Sequence, residues 1–265
     1  MRPRPPKSFF SARFHPTQAL EGRPISRTVK SARLRRGAIA VVAAAMLVLA
    51  FSATTATPGE KIVIYGANSG SHLRLTANDA NIVVEGWMPD AHPKGCRFTR
   101  PRMAAVCPLD DVSSIEVSMG PSGDFVEVLD RLPIPLTIYL GDGSDKFIGN
   151  GERDTCYPQG AKRNRCVGGG GNDICITGPR NSDCVGGEGN DYCKHGTGSD
   201  GCWGGPGQDI CIMGPGEDGC HGEGGRDELY GGSSADRLYG GDGIDHCDGE
   251  EGWGRSQSCE GGPRR

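Results

Sequence analysis

The chain has 265 residues, enough for one or two domains. Its formal net charge of −4 is uneven, because residues 1–56 hold ten Lys or Arg and one acid, Glu21, which leaves residues 57–265 with a net −13. An acidic body suits cations and disfavours nucleic acid or anionic membrane as partners, and 6% aromatic residues with a mean hydropathy of −0.44 exclude a large apolar core.

The first element is the uncharged run GAIAVVAAAMLVLAF (37–51). It follows the basic cluster Lys30, Arg33, Arg35 and Arg36, and small or polar residues succeed it. Fifteen residues are short for a membrane span, which needs roughly 20. The pattern predicts a signal peptide over 1–56, cleaved near Ala56; an uncleaved single anchor is the alternative. The stretch before residue 30 is long for such a signal. A downstream start accounts for that, or a twin-arginine route through Arg35–Arg36, although the GAIA that follows the pair fits that route poorly. Export agrees with an even count of twelve cysteines, which favours disulfides.

Residues 57–139 alternate apolar and polar residues in short runs: KIVIY (61–65), HLRLT (72–76), NIVVE (81–85), SIEVSM (114–119), FVEVL (125–129) and LTIYL (136–140). Gly, Pro, Asn and Asp separate them, so each is predicted as a strand. Cys96 and Cys107 also lie in this region, and are expected as the local pair that remains once the repeat cysteines further along the chain are matched.

From residue 140 the composition changes. Of 44 glycines, 35 lie in residues 140–265. They fall in phase: GGGGNDICI (168–176), GGEGNDYCK (186–194) and GGPGQDICI (204–212) are each 18 residues apart, with related nonapeptides between them. Position 6 of the nine is Asp145, Asp154, Asp173, Asp191, Asp200, Asp209, Asp218, Asp227, Asp236 and Asp245; position 8 is mostly cysteine. A flexible low-complexity tail has no reason to hold this phase over about a hundred residues.

The pattern resembles the hemolysin-type (RTX-like) calcium-binding nonapeptide repeat, G-G-x-G-x-D-x-U-x. The match covers 140–248, with departures at 159–167 and 177–185. The resemblance implies an all-β chain: a right-handed parallel β-roll in which two nonapeptides make one coil, preceded by an N-terminal β-strand cap over 57–139. It also implies Ca2+ between stacked turns. Calcium takes six to eight oxygens, and the turn offers the position-6 carboxylates together with carbonyls of glycines such as Gly168, Gly170, Gly186, Gly204, Gly222 and Gly240. The stretch from Cys96 through Gly149 is similar to the lead-in of secreted actinobacterial-type calcium-binding repeat proteins.

Period 18 divides the turns into two columns. One carries Asp173, Asp191, Asp209, Asp227 and Asp245 with nearly intact glycine loops, Glu223 being the exception. The other reads Asn164, Ser182, Asp200, Asp218 and Asp236. A strong calcium column is expected on one edge, and on the other a weaker one limited to its C-terminal half. Asp124, in GPSGDFVEV (120–128), is a possible further ligand in a degenerate half-turn.

In the family, position 8 is an aliphatic residue packed between two sheets. Leu229 and Leu238 keep that type, whereas Cys156, Cys166, Cys175, Cys184, Cys193, Cys202, Cys211 and Cys220 replace it. Successive turns lie on opposite sheets of such a roll, which implies the cross-core pairs 156–166, 175–184, 193–202 and 211–220. Cys247 and Cys259 remain as a pair. Connectivity stays open to sequence, and small buried thiols filling space are the alternative. No C-x-x-C is present, and His195, His221 and His246 lack zinc-ligand spacing. Residues 249–265 leave the repeat register and are expected to cover the far end.

No H-E-x-x-H, G-x-S-x-G or P-loop occurs, and the Asp110–Asp111 pair suits a solvated turn, so no enzymatic activity is expected. The expected function is that of a secreted, extracellular calcium-binding β-roll, with calcium ions as partners. Neither nucleic acid nor, after signal cleavage, membrane is an expected partner, and any protein or glycan partner is open. The alternative is a cell-surface adhesion or matrix module in which calcium is only structural, with Tyr230 and Tyr239 as its only hint. An exported toxin-type effector lacks room for a catalytic or pore-forming region.

Overall fold

The computed structural model describes residues 60–66, 70–86, 96–99, 104–110, 112–129, 132–160, 162–249 and 255–260. The expected signal segment lies outside these residues. Among them the secondary structure is all β, in two sheets.

The nine-stranded sheet stacks, in order, Glu60–Tyr65, Val112–Ser118, Leu136–Tyr139, Thr155–Tyr157, Ile174–Ile176, Tyr192–Lys194, Ile210–Ile212, Glu228–Tyr230 and His246–Asp248. Every neighbouring pair is parallel. The twelve-stranded sheet stacks His72–Ala77, Phe125–Val128, Lys146–Ile148 and Asn164–Gly170, then the strands at 182–188, 201–207, 219–225, 237–243 and 255–257, again parallel. From Leu136 onward the chain alternates between the two sheets, so that each circuit is one coil of a parallel β-solenoid, consistent with a β-roll.

The parallel pairing reaches back through Leu136–Tyr139 and Val112–Ser118 to Glu60–Tyr65, and residue 140 is no boundary in it. Only Asn81–Glu85, Ala104–Pro108 and Arg97–Thr99 form an antiparallel lid on the end of the larger sheet. That lid covers a strand edge that would otherwise template further pairing. The Cys96–Cys107 disulfide ties its last two strands together.

Alternation along each strand sends one residue in three inward in the short strands, giving buried centres such as Cys175 in Ile174–Ile176. The inward residues stack in two columns. In the smaller sheet the register runs Ile64, Val117, Ile138, Cys156, Cys175, Cys193, Cys211, Leu229, Cys247. In the larger it runs Leu73, Val126, Phe147, Cys166, Cys184, Cys202, Cys220, Leu238. All are buried. The core is aliphatic at its ends and made of sulfur in the middle.

Disulfides join Cys156–Cys166 and Cys247–Cys259 as expected. The middle of the core corrects the expectation: Cys184 pairs with Cys193 and Cys202 with Cys211, which leaves Cys175 and Cys220 as buried free thiols. The reason is geometric. Cys202, on the larger sheet, has two sulfurs of the smaller sheet beside it, Cys193 and Cys211, so two bridge partners are close at once. The sulfurs of Cys193, Cys202 and Cys211 all lie within 4.8 Å of one another.

The tail also differs from its expectation. Although the glycine motif is lost, Arg255–Gln257 adds one more rung to the larger sheet, with Ser256 opposite Leu238 eighteen residues earlier.

Candidate metal centre

In the turn 186–191, Gly187 has φ 117°, in the left-handed region, and a Cβ there would collide with the Gly169 carbonyl of the preceding coil. Stacked turns approach so closely that backbone meets backbone, which favours glycine at this position, although Glu223 takes the equivalent place further along the column. Position 1 is constrained differently. At Gly168, Gly186, Gly204, Gly222 and Gly240 a Cβ would run into Oδ2 of the aspartate of the same turn. Each of these carboxylates therefore folds back over its own glycine. Gly170 is looser, with nothing closer than 3.5 Å to such a Cβ.

The two oxygens of each carboxylate are treated differently. On the first edge the backbone N–H of Asp154 donates to Oδ1 of Asp173 (2.7 Å), that of Asp173 to Asp191 (2.7 Å), and that of Asp191 to Asp209 (2.7 Å). The series continues from Asp209 to Asp227 (2.9 Å) and from Asp227 to Asp245 (3.0 Å). Oδ1 is thus fixed by the coil before it. Oδ2 of Asp173, Asp191, Asp209, Asp227 and Asp245 is buried with no hydrogen-bond partner. A buried carboxylate oxygen in that state is costly unless a proton or a cation meets it.

The electrostatics agree. Burial, reinforced by the charges of Asp154 and Asp191 one coil away on either side, pushes the Asp173 carboxyl up to about 8. Burial pushes Asp154 and Asp209 up to about 7, and raises Asp191 and Asp227. Anionic oxygens in a row, 18 residues apart and lined by glycine backbone, make a site for a hard cation: carboxylate and carbonyl oxygen without nitrogen or sulfur. The donor set fits calcium.

On the second edge Oδ1 plays the same role in Asp145, Asn164, Asp200, Asp218 and Asp236. Burial pushes Asp145 and Asp200 up to about 6 and raises Asp218. Asn164 accepts the Asp145 N–H (2.8 Å) and keeps the ladder intact while removing its charge. Carboxylates on this edge are not confined to its C-terminal half. Asp124 and Asp145 head the column, with the Asp124 N–H donating to Oδ1 of Asp145 (2.7 Å). The interruption is central, at Asn164 and Ser182, because Pro158 and the irregular turns 159–167 and 177–185 fall there. Position 1 of this edge holds Thr177, His195 and Met213, all buried. Burial drives the His195 imidazole down to about 4, so it is neutral near pH 7.

Two participants escape a search by period. Asp124, weighed only as a possible ligand, has its Oδ1 met by the Ser71 N–H (2.6 Å) and its Oδ2 buried without a hydrogen bond. Glu260 closes the first edge, its Oε2 accepting the Asp245 N–H (3.0 Å). Glu260 stands 15 residues beyond Asp245, and Asp124 stands 21 before Asp145, so neither obeys the spacing of 18. Asp110 lies in an exposed turn; Asp111 lies outside the described residues.

The family model for the RTX calcium-binding nonapeptide repeat (4 copies) matches residues 137–157 and 221–252. Among curated proteins and among solved structures nothing matches the chain. The matched stretches flank the cysteine-cored coils, and they hold Asp145, Asp154, Asp227, Asp236 and Asp245. With glycine phase, stacked parallel coils and family match in agreement, residues 137–157 and 221–252 carry the RTX calcium-binding nonapeptide repeat, a repeat family that binds Ca2+.

Proposed function

We propose that the chain is a secreted protein whose roll folds around calcium held between stacked turns. The principal ligands are the first-edge carboxylates Asp154 to Asp245, with Asp145, Asp200, Asp218, Asp236 and Asp124 on the second edge and turn carbonyls completing each shell. The observation that carries this reading is the row of buried Oδ2 atoms of Asp173, Asp191, Asp209, Asp227 and Asp245, which have no hydrogen-bond partner. Bound calcium would supply the positive charge that lets neighbouring carboxylates stay ionised side by side. The chain's own residues do the rest. Oδ1 is anchored by a backbone N–H, position-1 glycine leaves space for Oδ2, and disulfides hold adjacent coils at the right height. Repeats of this kind are typical of extracellular proteins, where calcium sites bind at about 10⁻⁴–10⁻³ M. That agrees with the signal-like run at 37–51.

Titration calorimetry of the oxidised protein with calcium and with magnesium tests this. Saturable calcium binding with a gain of β-structure, and much weaker magnesium binding, is the expected result, because magnesium tolerates an irregular cage of carbonyls poorly. Equal affinity for the two ions would overturn it.

A second reading, an adhesion or matrix module with calcium as support, is favoured by one feature. Trp203, His221 and Tyr239 stack along the outer face of the larger sheet, with ring centroids 6.1 and 4.6 Å apart. Loss of surface or glycan binding on Trp203→Ala, at unchanged calcium affinity, distinguishes it from the first.

A further inference from the structure

The free thiols Cys175 and Cys220 lie on opposite sheets, with two disulfides between them in chain order. From Cys156 to Cys220, eight position-8 cysteines alternate between the sheets with no other residue type interposed at that position. The six inner ones each have a cross-core cysteine before and another after, and the end members Cys156 and Cys220 have one. The three bridges at 156–166, 184–193 and 202–211 have the same Cα separation, 6.4 Å, whichever way the pair steps along the chain. The first steps from the smaller sheet to the larger; the other two step back the opposite way. Both directions are therefore used in one core.

The sulfurs are also close enough to exchange. Cys193, in one bridge, has its Sγ within 4.8 Å of both sulfurs of the next bridge. Cys175 shares a small interior cavity of about 10 Å3 with Cys184 and Cys193, and with Cys156 and Cys166. A space of that size holds no external thiol reagent, so the nearest electrophile for Cys175 is the adjacent disulfide.

We propose that these eight cysteines form a disulfide-exchange ladder, along which an unpaired thiol migrates by two rungs at a time while staying on its own sheet. Cys175, as thiolate, attacks Sγ of Cys184. The 175–184 bond forms, the 184–193 bond breaks, and Cys193 leaves as thiolate. Cys193 then attacks Cys202, forming 193–202 and releasing Cys211, which takes up the proton that Cys175 lost. These two exchanges conserve electrons. They bring the vacancy from Cys175 to Cys211, across the core from Cys220. A disulfide oxidant such as oxidised glutathione can then remove two electrons and two protons from Cys211 and Cys220, closing a fourth bridge and giving two reduced glutathiones. Both free thiols are buried, so in the closed roll the migration is slow and awaits coil opening.

The ladder rule makes a test with two arms. Cys220→Ala leaves seven cysteines from 156 to 211 and one thiol. Migration places that thiol on Cys156, Cys175, Cys193 or Cys211, all in the smaller sheet, and never on Cys166, Cys184 or Cys202. Cys175→Ala leaves the thiol on Cys220, Cys202 or Cys184, all in the larger sheet. Each oxidised variant is held at about pH 8.5, near the ordinary thiol pKa, then quenched in acid, unfolded, alkylated and mapped by mass spectrometry. A thiol spread over the stated set supports the ladder. A thiol found only on Cys175 in the first variant, or only on Cys220 in the second, overturns it. The unaltered chain provides an arm that needs no substitution. With oxidised glutathione its two thiols should fall to none, with 175–184, 193–202 and 211–220 recovered. Glutathione left on Cys175 or Cys220, with 184–193 and 202–211 intact, overturns the proposal.

Discussion

The N-terminal coils and the glycine-rich coils share one hydrogen-bonding scheme and differ in what holds it. Around Ile64, Leu73, Leu75, Val117, Val126, Leu136 and Ile138 the strands are four to seven residues long and bury several branched side chains each. From 155 onward the strands of the smaller sheet shrink to three residues, each with one inward side chain, mostly cysteine. Burial of so little apolar surface cannot offset the ordering of an 18-residue, glycine-rich coil. The first region is held by the hydrophobic effect. In the second, disulfides cross the core, and on the proposed function cations at the turns would supply what burial does not. A solenoid can thus change its source of cohesion without changing its backbone.

The sharpest way to break this contrast is to withdraw both supports from the second region. Chelating calcium and reducing the disulfides should abolish amide-exchange protection across the coils of 155–248, by roughly a hundredfold or more, equivalent to one lost bridge at about 3 kcal/mol. Protection in 60–66, 72–77 and 112–139 should persist. Hydrogen-exchange mass spectrometry reads both regions at once, and simultaneous loss would show that the core is one cooperative unit. The converse perturbation is Ile138→Ala, at a fully buried position. It should cost about 3 kcal/mol in a denaturant titration, and as much without calcium as with it.

Two substitutions sharpen the comparison within the turns. Asp191→Asn keeps the Oδ1 acceptor for Asp173 and removes the charge, so calcium affinity should drop about tenfold by calorimetry, about 1.4 kcal/mol. Asn164→Asp restores a carboxylate to the interrupted edge and should add calcium binding there.

Proton linkage gives a further test. Asp173 titrates near 8, Asp154 and Asp209 near 7, and Asp145 and Asp200 near 6 in the folded, calcium-free chain, against an ordinary 3.8. The folded state thus holds more protons than the unfolded one between about pH 4 and 8. Calcium-free stability should be greatest near the low end of that window and be lost as pH rises through it. Calcium competes with those protons, so saturating calcium should flatten or reverse the slope of midpoint against pH.

The smallest expected effect concerns Glu223, the non-glycine at position 2 of the first edge, which has φ 77°. Glu223→Gly should stabilise the chain by about 1 kcal/mol by relieving a left-handed non-glycine residue, measured as a shift of the denaturant midpoint.

Much was legible from sequence because a nonapeptide writes one structural decision many times over. Phase sets Asp173, Asp191, Asp209, Asp227 and Asp245 at one spacing and alternation sets Cys175 and Leu229 apart from their neighbours; the resemblance to a known repeat then implies one edge for the first and the core for the second. The flanking parts do not repeat, and there the reading was weaker. The strands at 61–65, 114–119 and 136–140 were visible by their alternation, but that they continue the roll is a matter of register with distant strands, which no local pattern carries. Glu260 has no periodic neighbour to announce it.

By itself, then, the order of residues determined the phase of the glycines, aspartates and cysteines, since that follows from a period of nine or eighteen, and its resemblance to a known repeat implied the β-roll, the two-nonapeptide coil and the inward sulfurs. Only the tertiary structure decided where the roll begins, which residues finish its columns, and which sulfur bonds to which. Those outcomes depend on contacts and edges set by whole coils, and a cysteine with a cross-core cysteine on either side carries no local preference for either.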